Sequence, residues 1–519
     1  MLEEKLYTHF GYREFRQGQK EIIEKIIAKK NVLGILPTGA GKSLSYQLPA
    51  ILLPGITLVI TPLISLMEDQ VYQLRQSGLR IATLINSSTA SSDYKHKLIR
   101  LRQGKYKILY ISPEKLQQEF FFKELKGLNI SLVVIDEAHC ISQWGHDFRP
   151  DYLKIREVIP KLNNPIVVAL TATATPMVQA DIIKQLNLSN IEMVLTSHDR
   201  ENIAYQVIHA ANLSDKKNTL KNTVLSLAGP GIIYVNSRKS SEEIAGFLRD
   251  QGVTSVEAYH AGLPYDDRAI IQQQFMQGEV ALIVATKAFG MGINKKNVRY
   301  VIHFDIPANI ESYMQEVGRV GRDGQQGYAL LLYQEGDEAL VLRLIEQEYP
   351  TEALIHDVLY YLINRKQKYF TFLLEELKNS EINDQLLELI FFYLAQNGYL
   401  KWKKLQQGYE ITILLELNLA NGIALLNQIF ERRREHRKKE LKEMLQFIQN
   451  NSCRRENLLK YFSESLSKRP NQCCDYCGID FSIFQKRLDV VTKSSAKLGW
   501  NWKEELTKLL PIGEKNDER

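Results

Sequence analysis

Two carboxylates and a histidine end the apolar run SLVVIDEAH, and the chain then passes at once to Trp144, His146, Phe148 and Arg149. An acidic pair at a strand end suits a cation held for phosphate chemistry, because hard cations take oxygen ligands. An aromatic and basic loop suits stacking on bases. The segment from Asp136 to Tyr152 therefore joins two chemistries. By itself an Asp-Glu pair reads as a solvated loop, so it needs a phosphate site elsewhere in the chain.

PTGAGKS, Pro37 to Ser43, supplies one, lying between the strand-like NVLGIL and the helical pattern SLSYQLPAI. In the loop that opens at Thr38, the backbone amides of Gly39, Ala40 and Gly41 are placed to cradle phosphate oxygens at a helix N-terminus. Lys42 would reach the β and γ phosphates and Ser43 would ligate magnesium. Leu36 stands where the general GxxxxGKS pattern has its first glycine, so the flanking elements carry the reading. With this site present, Asp136 becomes a second magnesium ligand and Glu137 the group that orients or deprotonates water.

A second cluster is built from thiols. Cys473, Cys474 and Cys477 crowd together downstream of Cys453, while Cys140 stands alone. Four thiolates suit a closed tetrahedral Zn2+ site, structural rather than catalytic, and in a reducing compartment this grouping favours a metal over disulfides.

These sites need a frame. At 519 residues the chain exceeds the size of a single core, so three or more units are expected. NVLGIL, GITLVIT, YKILYIS, SLVVIDE and PIVVALT are apolar throughout, as buried parallel strands are, and helical patterns separate them. The rhythm repeats in GIIYVNS, TSVEAYH, VALIVAT and VRYVIHF, giving two tandem α/β domains that divide near Thr196 to Asn202. A net charge of +6 permits a polyanionic partner without demanding one. No apolar run reaches the length of a membrane span and the acidic start is unlike a signal peptide, so the expected location is the cytoplasm, in association with the nucleoid.

The dense set of motifs resembles the RecQ DNA helicases of superfamily 2, from about Leu6 to Tyr333 and again from Cys453. The motifs in question are FGYREFRQGQ, TPLISLMEDQV, YISPEKL, ALTATAT and SHDRENIAY, then YVNSRKSSEEIA, VATKAFGMGINKKNVRYVIHFDIP and QEVGRVGRDG. The resemblance implies two RecA-like domains, with Tyr12 stacking on adenine and Arg16 and Gln19 hydrogen-bonding it. It makes CISQWGHDFRPDY an aromatic-rich loop in which Trp144 and Phe148 stack on unpaired bases, Arg149 adds a cation or π contact and His146 senses the nucleotide state. Arg319 and Arg322 are three apart, so on one helical turn they share a face toward a phosphate held by the other lobe. Arg322 is then the arginine finger, supported by Arg319 and Gln315. Val320 replaces the usual alanine, adding bulk beside the arginines.

CRRENLLKYF resembles the helix that opens the family's zinc module. Many relatives space their cysteines so that one would fall at Asn471; here the third ligand must be Cys473.

The layout departs from the family after about Asp337. TEALIHDVLYYLINR, YFTF, LLEELKN and DQLLELIFFYLAQNG read as helix, strand, helix and helix, and YLKWKKL-QQG-YEITILL reads as a hairpin. That is a winged-helix-like unit inserted before the zinc ligands, with Lys403 and Lys404 on a DNA-facing wing and Trp402 and Tyr409 nearby; a helical spacer with a solvated basic hairpin is the alternative. The expected divisions are residues 1–199 and 200–340 for the two helicase domains, 341–420 for the winged-helix-like unit, 421–482 for the zinc module and 483–519 for a basic tail.

The function implied is an ATP-dependent helicase that moves 3′-to-5′ on single-stranded DNA and opens duplex or forked DNA in repair, recombination or replication. ATP, Mg2+ and Zn2+ are its cofactors, DNA its partner together with single-strand-binding or repair proteins, and no membrane is involved. A DNA-binding scaffold without turnover and an RNA helicase are the alternatives.

Overall fold

The computed structural model describes residues 2–86, 89, 91–145, 147–188, 190–290, 295–365, 367–376, 384–405 and 407–486. His146, the end of LLEELKN from residue 377, the MGIN of the second-lobe motif and most of the basic tail fall outside the described residues.

The first lobe is built on a seven-stranded parallel sheet in the order Ala82–Ile85, Ile108–Ile111, Ile56–Ile60, Ile130–Ile135, Ile166–Thr171, Asn31–Ile35 and Ile191–Leu195. Its central strands are buried on both faces because helices pack on each side, so none alternates with polar residues. The second lobe repeats the plan with six parallel strands: Val256–Tyr259, Leu282–Ala285, Gly231–Tyr234, Tyr300–His303, Gly327–Gln334 and Ile203–Ala210. All nine apolar runs read from the sequence are strands of these two sheets. Four further strands escaped it: Ala82–Ile85 is only four residues long, and Ile191–Leu195, Ile203–Ala210 and Gly327–Gln334 lie at or near an edge of their sheets.

Helices Glu338–Gln347 and Glu352–Asn364 lead out of the second lobe, the latter capped by Thr351, whose side chain accepts from the Leu354 amide. Leu354, Ile355, Val358, Leu359 and Leu362 form its buried stripe. Then come strand Tyr369–Phe372, one tight turn at Leu374–Glu376 in place of the start of an expected helix, helix Asp384–Gln396 and the hairpin Leu400–Lys404 with Tyr409–Ile413. The three strands make an antiparallel sheet with Tyr409–Ile413 in the middle, the layout of a winged helix. Gly398 ends its last helix at φ +80°, a left-handed position that disfavours side chains.

A helix of 31 residues, Leu419–Gln449, spans ~46 Å. The segment that carries the cysteine cluster follows, from Arg454–Tyr461 to the turn at Phe481–Phe484. Phe484 is buried against Tyr328, so the start of the basic tail belongs to the second lobe's core. Among the described residues, no helix is long and apolar enough to cross a membrane.

Candidate active site between the two lobes

Strand Asn31–Ile35 runs straight into the phosphate loop. Leu36 continues its pairing, donating to the Thr171 carbonyl, and is fully buried, which is why the general pattern's first glycine is dispensable here. Gly39 and Gly41 have φ of +87° and +80°, so the loop needs glycine at both. A Cβ on Gly39 would stand 3.0 Å from Arg322 and 3.2 Å from Arg200, and one on Gly41 2.7 Å from the Gln19 amide. Gln19 donates to the carbonyls of Ala40 and Gly41, both at 2.9 Å, and Arg16 donates to Gly39. The residues expected on adenine thus also brace the phosphate loop.

Lys42, Ser43, Asp136 and Glu137 face the same cleft, of about 330 Å³, as Gln315, Arg319 and Arg322 from the other lobe. Tyr12, Arg16, Gln19, Thr38, Gly39 and Gly41 line it too, whereas Ala40 packs against the first lobe's core. Lys42 lies 3.5 Å from Glu137, whose other carboxylate oxygen is buried 3.5 Å from the His139 Nδ1 with no hydrogen bond among the described residues. Burial and then Glu137 push the Asp136 carboxyl up to about 6, against the opposing pull of Lys42, so a cation here would relieve an existing charge conflict. Arg319 is buried and donates to the Gly290 carbonyl. Burial, then Arg319 and Arg200, lower Arg322 to about 9, a cluster of positive charge that an anion would stabilise. Val320 is buried against Gly327, where any Cβ would fall 2.0 Å from it, so its added bulk is absorbed there.

The chain after Glu137 folds back on the acidic pair. The Tyr152 hydroxyl donates to the Asp136 carbonyl at 3.1 Å, and His139 sits 2.8 Å from the Thr171 hydroxyl. Gly145 admits this turn, since a Cβ would lie 2.3 Å from the His139 carbonyl.

Residues 16–182 match the DEAD/DEAH box helicase family, 215–324 the helicase conserved C-terminal domain and 420–478 the RecQ zinc-binding domain. The probable ATP-dependent DNA helicase RecS of Bacillus subtilis (strain 168) is 38% identical over 488 residues, 94% of this chain and 94% of that one. The chain belongs to the RecQ family of DNA helicases. The ATP-dependent DNA helicase RecQ of Pasteurella multocida (strain Pm70) is 46% identical over 341 residues, so the match covers 66% of this chain and 53% of that longer relative. The helicase fold is shared with yeast Dbp5 bound to RNA and ADP BeF3, at TM-score 0.54 and 19% identity over 67% of this chain and 90% of that one.

The RecQ zinc-binding match ends on the four cysteines. The sulfurs of Cys453, Cys473, Cys474 and Cys477 all lie within 4.8 Å of one another, with Cys453 at 3.7 Å from Cys473 and 3.9 Å from Cys474. Tetrahedral zinc with bonds of ~2.3 Å sets its sulfurs ~3.8 Å apart, so the thiols fit the ion.

The aromatic-rich loop is packed rather than splayed. Trp144 is half-buried with its ring 5.1 Å from His436, and Phe148 lies 5.9 Å from Phe392 with the Arg433 guanidinium 4.5 Å over its face. Arg149 pairs with Asp147 at 3.1 Å and donates to the Pro62 carbonyl. The loop thus leans on the long helix and the winged-helix-like unit.

On the wing the alternation of the strand separates the lysines. Lys401, Lys403 and Lys404 are all exposed, but Lys404 shares its face with Leu400 and Trp402 and is held by Asp384 at 2.9 Å and Glu388 at 2.7 Å. Trp402 packs toward Phe391 under Lys154, and Tyr409 is buried, so both expected wing aromatics serve the core.

Arg200, Asn202 and Asp69 were not singled out from the sequence. Asp69 lines the cleft, and its carboxyl is raised, by burial first. Arg200 and Asn202 belong to the quoted SHDRENIAY, where a charged residue at a domain junction was the available signal.

Proposed function

We propose that the protein hydrolyses ATP to move 3′-to-5′ along single-stranded DNA and to open duplex or forked DNA. The observation that carries this is the common origin of two sites: the strand end that presents Asp136 and Glu137 to the cleft continues directly into the loop bearing Trp144 and Phe148. Lys42 holds the β and γ phosphates, and Tyr12, Arg16 and Gln19 hold the base. Ser43 and Asp136 are the side chains for magnesium, which when bound neutralises phosphate charge. Glu137 orients water. Arg322, supported by Arg319 and Gln315, meets the γ phosphate when the lobes close, and reopening completes a step along DNA.

Trp144, Phe148 and Arg149, with His146, take the unpaired strand, and this requires the aromatic rings to exchange their contacts on the long helix for bases. Lys403 meets the duplex backbone, and Lys404 joins it by leaving its two carboxylates. The cysteines hold zinc as a fold-closing element. Work at repair, recombination or replication intermediates, alongside single-strand-binding or repair proteins and in the nucleoid, is the setting this activity fits. ATP turnover measured with single-stranded DNA and with RNA, followed by unwinding of forked duplex, tests the reading. Turnover that RNA stimulates and DNA does not would point to an RNA helicase, and no turnover would leave a scaffold.

A further inference from the structure

The segment joining the lobes, Ser197 to Asn202, is gripped from two sides. On the inner side the Arg200 guanidinium donates to four carbonyls: Thr38 at 2.8 Å, Gly318 at 3.2 Å, Val320 at 2.9 Å and Gly321 at 3.0 Å. The first belongs to the phosphate loop of one lobe. The other three flank Arg319 and Arg322 in the other lobe. Asn202 adds bonds to the Gly321 and Gln325 carbonyls at 2.9 and 2.7 Å. A planar guanidinium has five donors in a rigid fork, so one side chain can fix both loops relative to the hinge; an ammonium on a flexible stem cannot span the four acceptors. The close approach of Arg200 to Gly39 leaves little room between the two loops.

On the outer side the zinc module holds the same peptide. Arg455, buried two residues beyond Cys453, donates to the Asp199 carboxylate and to the Arg200 and Ile203 carbonyls. Glu464 accepts from the Ser197 hydroxyl at 2.6 Å and the His198 amide at 3.1 Å. The His198 ring stacks on Phe462, with centroids 4.0 Å apart and planes at 10°. The Tyr205 amide donates to the Cys473 carbonyl and the Val207 amide to Asp475, which extends the grip into the first strand of the second lobe.

We infer that Arg200 is a positioning residue for ATP hydrolysis, setting the finger segment Gly318–Arg322 against the phosphate loop, and that the zinc module's Glu464 and Arg455 hold the hinge peptide from which it acts. The zinc module is then a brace on lobe closure as well as a folded appendage. This rests on the proposed hydrolysis in the interlobe cleft. Arg200 need not touch the nucleotide, so its loss should act on turnover and spare nucleotide affinity.

The test is a comparison of full-length R200K, R200A, E464Q and K42A, reading DNA-stimulated kcat, equilibrium binding of a fluorescent ATP analogue and melting temperature. R200K should lose about tenfold or more in kcat, with analogue affinity within roughly threefold of wild type and melting little changed. R200A should lose at least as much; if it fails to fold, R200K decides. E464Q should lose a smaller factor, about threefold, and add nothing when combined with R200K, because both act through one hinge. Wild-type kcat in R200K and R200A overturns the positioning role, as does a loss carried wholly by analogue affinity. Independent multiplication of the E464Q and R200K effects overturns the part assigned to the zinc module. K42A separates the two levels: if it still turns over ATP, the cleft reading itself fails, whereas an inert K42A beside a wild-type R200K sinks only the inference.

Discussion

The interlobe cleft and the wing hairpin are both rich in basic residues, yet they hold them in opposite ways. In the cleft Lys42, Arg319 and Arg322 converge with Asp136, Glu137 and Asp69, and burial drives the Arg322 guanidinium down to about 9. On the wing Lys404 is matched by two carboxylates of its own unit, and Lys401 and Lys403 stand in solvent. The cleft concentrates positive charge for an anion that must come from outside. The wing ties Lys404 to its own carboxylates and leaves two solvated lysines, so it can guide a polyanion but contributes little binding by itself.

That contrast orders the expected effects. The largest falls in the cleft: Lys42→Ala should abolish ATP hydrolysis, and Glu137→Gln should retain ATP binding while losing turnover, read by phosphate release and by equilibrium binding. Wild-type turnover in Glu137→Gln would remove the catalytic assignment and with it the distinction from the wing.

Next is the zinc module. Purified protein should carry one equivalent of zinc, and Cys474→Ser should give insoluble or protease-sensitive material, since structural zinc contributes on the order of 10 kcal/mol to folding. Metal analysis that finds no zinc in soluble, active protein would eliminate the site.

A smaller effect belongs to the wing. Replacing Lys403 and Lys404 with Glu should weaken forked-duplex binding and flatten its salt dependence, by about two charges in the slope, while DNA-independent ATPase is unchanged. Fork binding equal to wild type across a salt series would make the hairpin a packing element only.

The smallest effect concerns Glu311, buried at the start of the helix that carries Gln315. Burial and then Glu440 push its carboxyl up to about 7, although the Tyr461 hydroxyl donates to it. An acid whose folded value lies above its unfolded value holds a proton that the unfolded chain has lost, so its stabilising contribution declines as pH rises from about 4.5 through about 7. Glu311→Gln should therefore melt roughly 2 °C above wild type at pH 8 and match it near pH 5. Parallel melting curves at both values would show that the carboxyl titrates normally.

How much could be read in the sequence follows from where each residue's partners lie. The phosphate loop and the DEAH strand were legible because backbone conformation, set within a few residues, places Gly39, Lys42 and Asp136. The winged-helix-like unit was legible from its periodicity, but the side of its hairpin facing the core was not drawn from it. Alternation from Leu400 through Trp402 puts Lys404 on their face of the strand, where it pairs at the surface with Asp384 and Glu388. The packing of Trp144 on His436 was invisible, because nothing in CISQWGHDFRPDY names a helix almost three hundred residues on. The hinge brace was invisible for the same reason, since Arg455 and Asp199 are 256 residues apart.

The central claim is that hydrolysis and strand contact are one device grown from one strand end, and Trp144→Ala tests it most directly. Basal and DNA-stimulated ATP turnover should be measured side by side for wild type and Trp144→Ala over a titration of single-stranded DNA. Stacking on an aromatic contributes ~1–3 kcal/mol per base, so stimulation should need roughly tenfold more DNA or fall by that factor, with basal turnover preserved. An equal loss of basal and stimulated rates would show that Trp144 only supports the fold through the long helix, and would contradict the account.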